Sequence, residues 1–260
     1  MLLRRLTAKP PRSVERDTIV VPARAGAPPI EVQRVRDPRA RRIRLSVDER
    51  GARLTLPSRA SLLAGERFLE EHHQWLCEQL ARSAVPETVQ PLRPHVTPSL
   101  PLRGQDIALH WRSGRYTRLD LHEDGLHLQW PERASQATLV RTLRSFYETQ
   151  AMADVQAWTP RHLPGLPRAP GRVRFKIMSS QWGSLSPDGS MALDLSLVLA
   201  RPSAFEYVLV HELCHLAQAN HSPAFWAEVQ ARFPDWRAER AYFHEHGRIL
   251  KAQLRTLLQS

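Results

Sequence analysis

Alternating apolar and polar positions predict two β-hairpins in the first half of the chain. In the first hairpin, apolar residues alternate over 43–47 and 52–56 around a turn at Asp48–Gly51. In the second, alternation over 107–111 leads into strands that flank a turn at Glu123–Gly125. Strict alternation is typical of strands that bury one face.

Apolar residues that recur every three or four positions predict helices after each hairpin. The first predicted helix covers 61–82 with Ser61 as its N-cap, and the second runs from about 135 to 158. Between them, residues 84–101 contain five prolines and no period, which predicts a linker.

The last third predicts strands followed by a long helix. A strand at 173–177, a turn at 187–189 and a return strand at 191–195 precede a helix over 202–219. Pro223 after Ser222 then indicates the start of another helix.

These elements predict an α+β protein of three parts. The predicted parts are a basic Pro/Arg-rich tail at 1–30, a β-hairpin plus helix region with its linker at 31–100, and a larger domain at 101–260.

Composition excludes several classes of protein. Of 260 residues, 42% are hydrophobic and 24% charged, as in globular proteins, which excludes a disordered chain, a coiled coil or a collagen-like fibre. The chain contains no apolar run of about 18 residues and its start lacks a signal-peptide core, so we expect no membrane association. Two cysteines, Cys77 and Cys214, indicate a reducing compartment, and we predict a cytoplasmic protein.

The chain carries a formal charge of +11, and 34 of its 37 basic residues are arginines. Residues 1–53 hold 14 basic and 6 acidic residues, so this segment contributes +8. An arginine-rich codon bias would explain this excess. Nucleic-acid association through the basic N-terminal region is the alternative, because clustered positive charge attracts polyanions.

One motif carries recognisable chemistry. Residues 211–215 read His-Glu-Leu-Cys-His, the HExxH pattern, within the predicted helix 202–219. His211 and His215 lie about 40° apart around a helix, so both imidazoles can bind one metal ion. Glu212 lies close enough to act as a general base on a water at that metal. We expect one zinc ion per chain.

A catalytic zinc site needs a third protein ligand. His221 follows six residues after His215, and Asn220 can end the helix and return the chain toward the metal. A loop histidine without a ligand role remains the alternative, and a carboxylate of Glu239 or Glu245 would then be the third ligand.

A segment before the motif predicts a wall for the substrate. Trp182, Gly183 and Ser184 lie between the predicted strands, and glycine there indicates a close backbone approach, as when an extended peptide joins an edge strand. Tyr207 lies one helical turn before His211. These four residues are the predicted substrate contacts, although Trp182 and Tyr207 could instead pack in the core.

Together these residues resemble a known family. The matching stretches are 181–184, 193–194, 207–216, 220–226 and 233–235. They are similar to the YgjP-like metallopeptidases, relatives of the SprT-like zincins, with the resemblance extending over about 30–250. It implies a zincin-like domain with His211, His215 and His221 as metal ligands and Glu212 as the catalytic residue.

The chain departs from the family pattern along the presumed wall. Gln181 stands where the family often has arginine, Leu185 where it usually has cysteine, and Asp194 where it usually has asparagine. These positions bear on substrate choice more than on metal binding.

The sequence therefore predicts a zinc-dependent hydrolase, a metalloendopeptidase that cleaves a peptide or protein substrate. One alternative is a metal-dependent hydrolase of nucleotides or phosphoanhydrides, since activated water also attacks phosphorus. The other is a nucleic-acid-associated binding protein whose metal site is not catalytic.

Overall fold

The computed structural model describes residues 14–22, 29–48, 51–83 and 90–259. The chain forms two compact units, Met1–Ala84 and Val85–Ser260. Both units mix helices and sheets, which confirms the predicted α+β class. No helix in the described ranges combines the length and apolar character needed to span a bilayer.

The first unit is a four-stranded sheet followed by two helices. Its elements are β1 (Glu15–Val21), β2 (Ile30–Asp37), β3 (Arg44–Asp48), β4 (Gly51–Pro57), α1 (Leu62–Glu71) and α2 (His73–Ser83). The strand order is β1-β2-β4-β3, with β2 parallel to β4 and the other neighbours antiparallel. The β3–β4 pair confirms the first predicted hairpin, whose turn residues 49 and 50 lie outside the described residues.

The single helix predicted over 61–82 is two helices in the structure. Ser61 caps α1 as predicted, because its side chain accepts a hydrogen bond from the Ala64 N–H. The chain leaves helical geometry at His72, whose Nδ1 lies 2.9 Å from the Phe68 carbonyl oxygen. A side chain that bonds a carbonyl of the last turn is typical of a helix end.

The compact units divide the chain differently from the predicted parts. Strand β1 lies inside the predicted tail, whose residues 1–13 and 23–28 are outside the described residues. It is an edge strand that is exposed along most of its length, so its sequence lacks a clear apolar alternation. The first unit ends at residue 84 and the second begins at 85, within the predicted linker and outside the described residues, whereas the predicted boundary was at 100/101.

The second unit begins with another four-stranded sheet. Its strands are β5 (Ser99–Leu102), β6 (Gln105–Ser113), β7 (Arg118–His122) and β8 (Gly125–Trp130). The order β5-β6-β8-β7 and the strand directions repeat those of the first unit. The second predicted hairpin is therefore confirmed for β7–β8, whereas β6 pairs with β8 in parallel.

Three strands and four helices complete the second unit. These elements are α3 (Gln136–His162), β9 (Val173–Lys176), β10 (Gly183–Leu185), β11 (Met191–Asp194), α4 (Pro202–Cys214), α5 (Pro223–Arg232) and α6 (Trp236–Leu257). In the sheet β10-β11-β9, the central strand is parallel to β9 and antiparallel to β10. The turn at 187–189 thus joins β10 to β11, and the predicted pairing of 173–177 with 191–195 is parallel rather than a hairpin.

A buried 3₁₀ turn, Leu195–Leu199, connects β11 to α4. It replaces the end of the predicted return strand, because Asp194 caps it by accepting a hydrogen bond from the Ser196 N–H. The turn between β5 and β6 docks on it, since the N–H groups of Arg103 and Gly104 donate to its carbonyls. This contact joins the β5–β8 sheet to the helical core.

We expect the core of the second unit to be sensitive to truncation. Leu143 of α3 is fully buried, so Leu143→Ala should lower the free energy of unfolding by about 2–5 kcal/mol through lost burial and a residual cavity. Leu121→Ala is the matched control, because 41% of that residue is exposed. Urea unfolding of both variants tests this; equal losses would contradict the described packing.

Candidate metal centre

Helix α4 carries the HExxH residues into the core of the second unit. Pro202 starts the helix at a position that needs no N–H donor, and residues 204–210 are buried on every side. Glu212 is 5% exposed, whereas His211 is only partly buried. The helix therefore presents His211 and Glu212 at its C-terminal end, beyond the segment that is buried on every side.

The predicted helix end at 219 is wrong. Helix α4 ends at Cys214, and the N–H groups of 215, 216 and 217 bond to carbonyls three residues back. These tight bonds turn the chain away from the helix axis five residues earlier than expected. Ser222 then caps α5 by accepting from the Phe225 N–H, with Pro223 in the first turn, as predicted.

This early turn brings His221 back to the helix. His211, His215 and His221 each offer a ligand atom, and the three atoms lie within 4.8 Å of one another. The Nε2 atoms of His211 and His221 face each other at 2.9 Å. Phe225 stacks on the His215 ring and Trp226 on the His221 ring, which holds the imidazoles in place.

The chemistry of the three rings fits a metal ion. Burial, with the neighbouring His215, His221 and Arg240, lowers the pKa of His211 to about 3, so its imidazole stays neutral. Burial also lowers the pKa of His215. A neutral imidazole keeps the lone pair that a metal needs. Nδ1 of His215 lies 3.1 Å from the Gln218 carbonyl oxygen; donating there leaves Nε2 free to bind.

The Glu212 carboxylate lies beside the cluster against the backbone of β10. A Cβ atom at Gly183 would come within 2.6 Å of Glu212 Oε1, so only glycine leaves room for this carboxylate. Burial raises the pKa of Glu212 to about 7. Within the described part of the chain, the carboxylate forms no ion pair.

The histidines and Glu212 line an open cavity of about 950 Å³. All four residues predicted as substrate contacts also line it: Trp182, Gly183, Ser184 and Tyr207. Tyr207 is largely buried, and its ring lies 6.0 Å from the His211 ring. Leu185 lines the same wall.

Sequence reasoning missed the opposite wall of the cavity. Arg240, Phe243 and His244 of α6 line it. Arg168, from the loop before β9, also lines the cavity and donates to the Pro187 carbonyl beside β10. These α6 residues recur every three or four positions as far as Gly247, so the sequence already indicated that they share one face of a helix. Arg240 lies over the Trp226 ring and gives this wall positive charge.

The two carboxylates considered as alternative third ligands lie outside the histidine cluster. Glu239 is buried and pairs with Arg201 at 2.9 Å, and Glu245 lies 3.8 Å from His246. Neither belongs to the histidine cluster. Cys214 is fully buried, and burial raises its pKa to about 12, which disfavours a thiolate ligand.

Asp194 explains how the wall segment is held. Its carboxylate accepts hydrogen bonds from the Met178 and Ser196 N–H groups and forms a buried ion pair with Lys251 at 2.9 Å. Lys251 also donates to the carbonyls of Met178 and Gln181. The pair thereby ties α6 to the backbone that leads into Trp182.

The indole of Trp182 rests on the same part of α6. It lies 4.4 Å from the Phe243 ring, and Lys251 Nζ is 4.3 Å from its centroid. A Cβ at Gly247 would come within 2.7 Å of the indole. We call Gly247, Lys251 and Asp194 the tryptophan seat.

We expect the buried pair in the tryptophan seat to couple strongly. Lys251→Met leaves the Asp194 carboxylate buried and unpaired, so the free energy of unfolding should fall by about 3–5 kcal/mol. Adding Asp194→Asn should restore part of that loss. The control is Arg144→Met, which breaks an exposed pair with Glu148 and should cost no more than about 1 kcal/mol. Urea unfolding measures these changes. Equal losses of unfolding free energy in Lys251→Met and Arg144→Met would contradict a buried ion pair in the tryptophan seat.

Comparisons with known proteins agree with the resemblance seen in the sequence. No curated protein matches the chain. A solved structure that is similar is the crystal structure of the metallopeptidase zymogen of Pyrococcus abyssi abylysin, at 22% identity and a TM-score of 0.32, covering 38% of this chain and 96% of that one. The model of the YgjP-like, metallopeptidase domain matches residues 41–246. Because this match covers more than half of the chain, the protein belongs to the YgjP-like metallopeptidase family.

Proposed function

We propose that the protein is a zinc-dependent metallopeptidase, with His211, His215 and His221 as the ligands of one zinc ion and Glu212 as the general base. The observation that carries this proposal is the convergence of three imidazole ligand atoms within 4.8 Å on the wall of an open cavity, beside a buried carboxylate. Three imidazole nitrogen donors with an open side are the donor set of catalytic zinc.

A zinc ion held there would polarise the scissile carbonyl and make water a nucleophile near neutral pH. Glu212 would take the proton from the attacking water and pass it to the leaving amine nitrogen. Its position against Gly183, away from opposing charge, leaves the carboxylate free for this proton transfer.

The cavity wall supports a peptide substrate. Strand β10 is the edge of its sheet, so its outer backbone groups can pair with an extended peptide. Trp182 and Tyr207 would contact the side chains of that peptide. The positive charge of Arg168 and Arg240 would also suit phosphate groups, so the test below includes nucleotides.

The remaining expectations stay proposals. Cytoplasmic residence rests on the sequence alone. Nucleic-acid association rests on the basic segment 1–53, of which residues 1–13, 23–28 and 49–50 are outside the described residues.

Glu212→Gln should separate metal binding from catalysis. We expect the variant to retain one zinc per chain and to lose casein hydrolysis by at least about 100-fold, since the base is removed while the ligands remain. His211→Ala should lose the zinc. Glu245→Gln is the control, because its exposed carboxylate lies outside the cavity.

Zinc content by elemental analysis and turnover of casein and of nucleoside triphosphates are the measurements. If only nucleotides are hydrolysed, the protein would still be a hydrolase, but its substrate would be a nucleotide and not a peptide. Full casein hydrolysis by Glu212→Gln would overturn the role of Glu212.

Gly183→Ala should impair catalysis without removing the metal. The added Cβ would overlap the Glu212 carboxylate and displace it, so we expect kcat to fall by about 10- to 100-fold at unchanged zinc content. Ser186→Ala, on the same cavity wall, adds no atom and is the matched control. An unchanged kcat in Gly183→Ala would show that the carboxylate position is not critical.

A further inference from the structure

A second group of metal-binding side chains lies on the solvent face of the β5–β8 sheet. His110 of β6 and His127 of β8 are register partners in the parallel pair, so their side chains leave the sheet on the same face. Their ring centroids are 5.1 Å apart. Leu109 and Leu126, the adjacent register partners, point into the core instead.

Asp124 completes this group from the turn between β7 and β8. Its carboxylate lies 2.9 Å from His127 Nε2, and its carbonyl oxygen lies 3.1 Å from His110 Nε2. One ligand atom from each of the three residues falls within 4.8 Å of the other two. The His122 ring lies 4.4 Å from the His127 ring and flanks the group.

The backbone fixes this arrangement. Gly125 adopts a φ of +132°, and a Cβ there would come within 2.7 Å of the Ala108 carbonyl oxygen and 3.2 Å of His110 Nε2. A larger residue would push the His110 ring away from the turn. Glycine therefore lets β6 and the β7–β8 turn approach closely enough for their side chains to share a ligand.

We propose that His110, Asp124 and His127 form a second metal site, which binds a divalent late transition metal such as zinc. Two imidazole nitrogens and one carboxylate oxygen are donors that zinc, nickel, cobalt and copper accept. The ligand atoms of the three residues, within 4.8 Å of one another, would surround one ion at zinc–ligand distances of about 2.0–2.2 Å. His110 and Asp124 are exposed, so water can fill the remaining coordination positions.

Asp124 supplies the one carboxylate of the group, which gives a cation an anionic ligand. Asp120, the register partner of His127 on β7, already pairs with Arg118 at 2.7 Å. The bound ion would join β6 to the β7–β8 turn, and it should stabilise the folded state by mass action.

The site shares no residue with the histidine cluster of α4, and it does not depend on the proposed function. The test starts from the variant His211→Ala with His215→Ala, in which the cluster of α4 is removed. Titration with Zn²⁺ in a calorimeter should still show about one ion per chain, and the ion should raise the Tm. Adding His110→Ala and His127→Ala should abolish both effects.

The matched control adds His246→Ala instead, since that partly exposed histidine lies outside both groups. It should retain the residual ion. No zinc binding by the starting variant, or binding that persists without His110 and His127, would overturn the proposal.

A second measurement is needed if the His211→Ala/His215→Ala variant does not fold. The wild-type protein should bind two zinc ions at excess metal. The wild-type protein with only His110→Ala and His127→Ala should bind one zinc ion and keep its hydrolytic activity. Equal stoichiometry in these two proteins would also overturn the proposal.

Discussion

The constraint on which the site depends is that a helix buried on every side must still offer charged and polar groups to solvent. Residues 204–210 of α4 are surrounded by core, which leaves only the last turn for chemistry. The chain meets this constraint by ending the helix at Cys214 and reversing within seven residues. The imidazole of His221 therefore returns to the end of α4 from the segment that follows the helix. The rings of Phe225 and Trp226 pack against it.

The opposite wall of the cavity is held by a second buried contact, the pair between Asp194 and Lys251. Breaking a buried ion pair costs more than breaking an exposed one, because the charge that remains loses its counter-charge in a low-dielectric environment. The pair spans from the end of β11 to the last third of α6. Any shift of α6 would therefore move Trp182 and, through the neighbouring Gly183, the backbone against which Glu212 rests. An asparagine at 194 would lack the charge that pairs with Lys251 in this chain.

Local chemistry determined which parts were predictable from the sequence. The β3–β4 hairpin, the Ser61 and Ser222 caps and the HExxH spacing each depend on neighbouring residues, and the structure contains them where the pattern indicates. The parallel pairings of β6 with β8 and of β9 with β11 depend on distant segments, so alternation alone could not distinguish them from hairpins. The contribution of α6 to the cavity is equally non-local. The spacing of its residues indicates a helical face, but the sequence does not show which segment that face packs against.

The repeated strand order bears on the histidines of the β5–β8 sheet. Both units build a sheet with the same order and the same directions, so this topology can form with different side chains on its solvent face. In the described part of the first sheet, no three metal-binding side chains come together. The grouping of His110, Asp124 and His127 is therefore not a requirement of the topology. A hydrogen bond to the turn would need only one of these imidazoles, whereas two in register with a carboxylate nearby match what a metal ion requires.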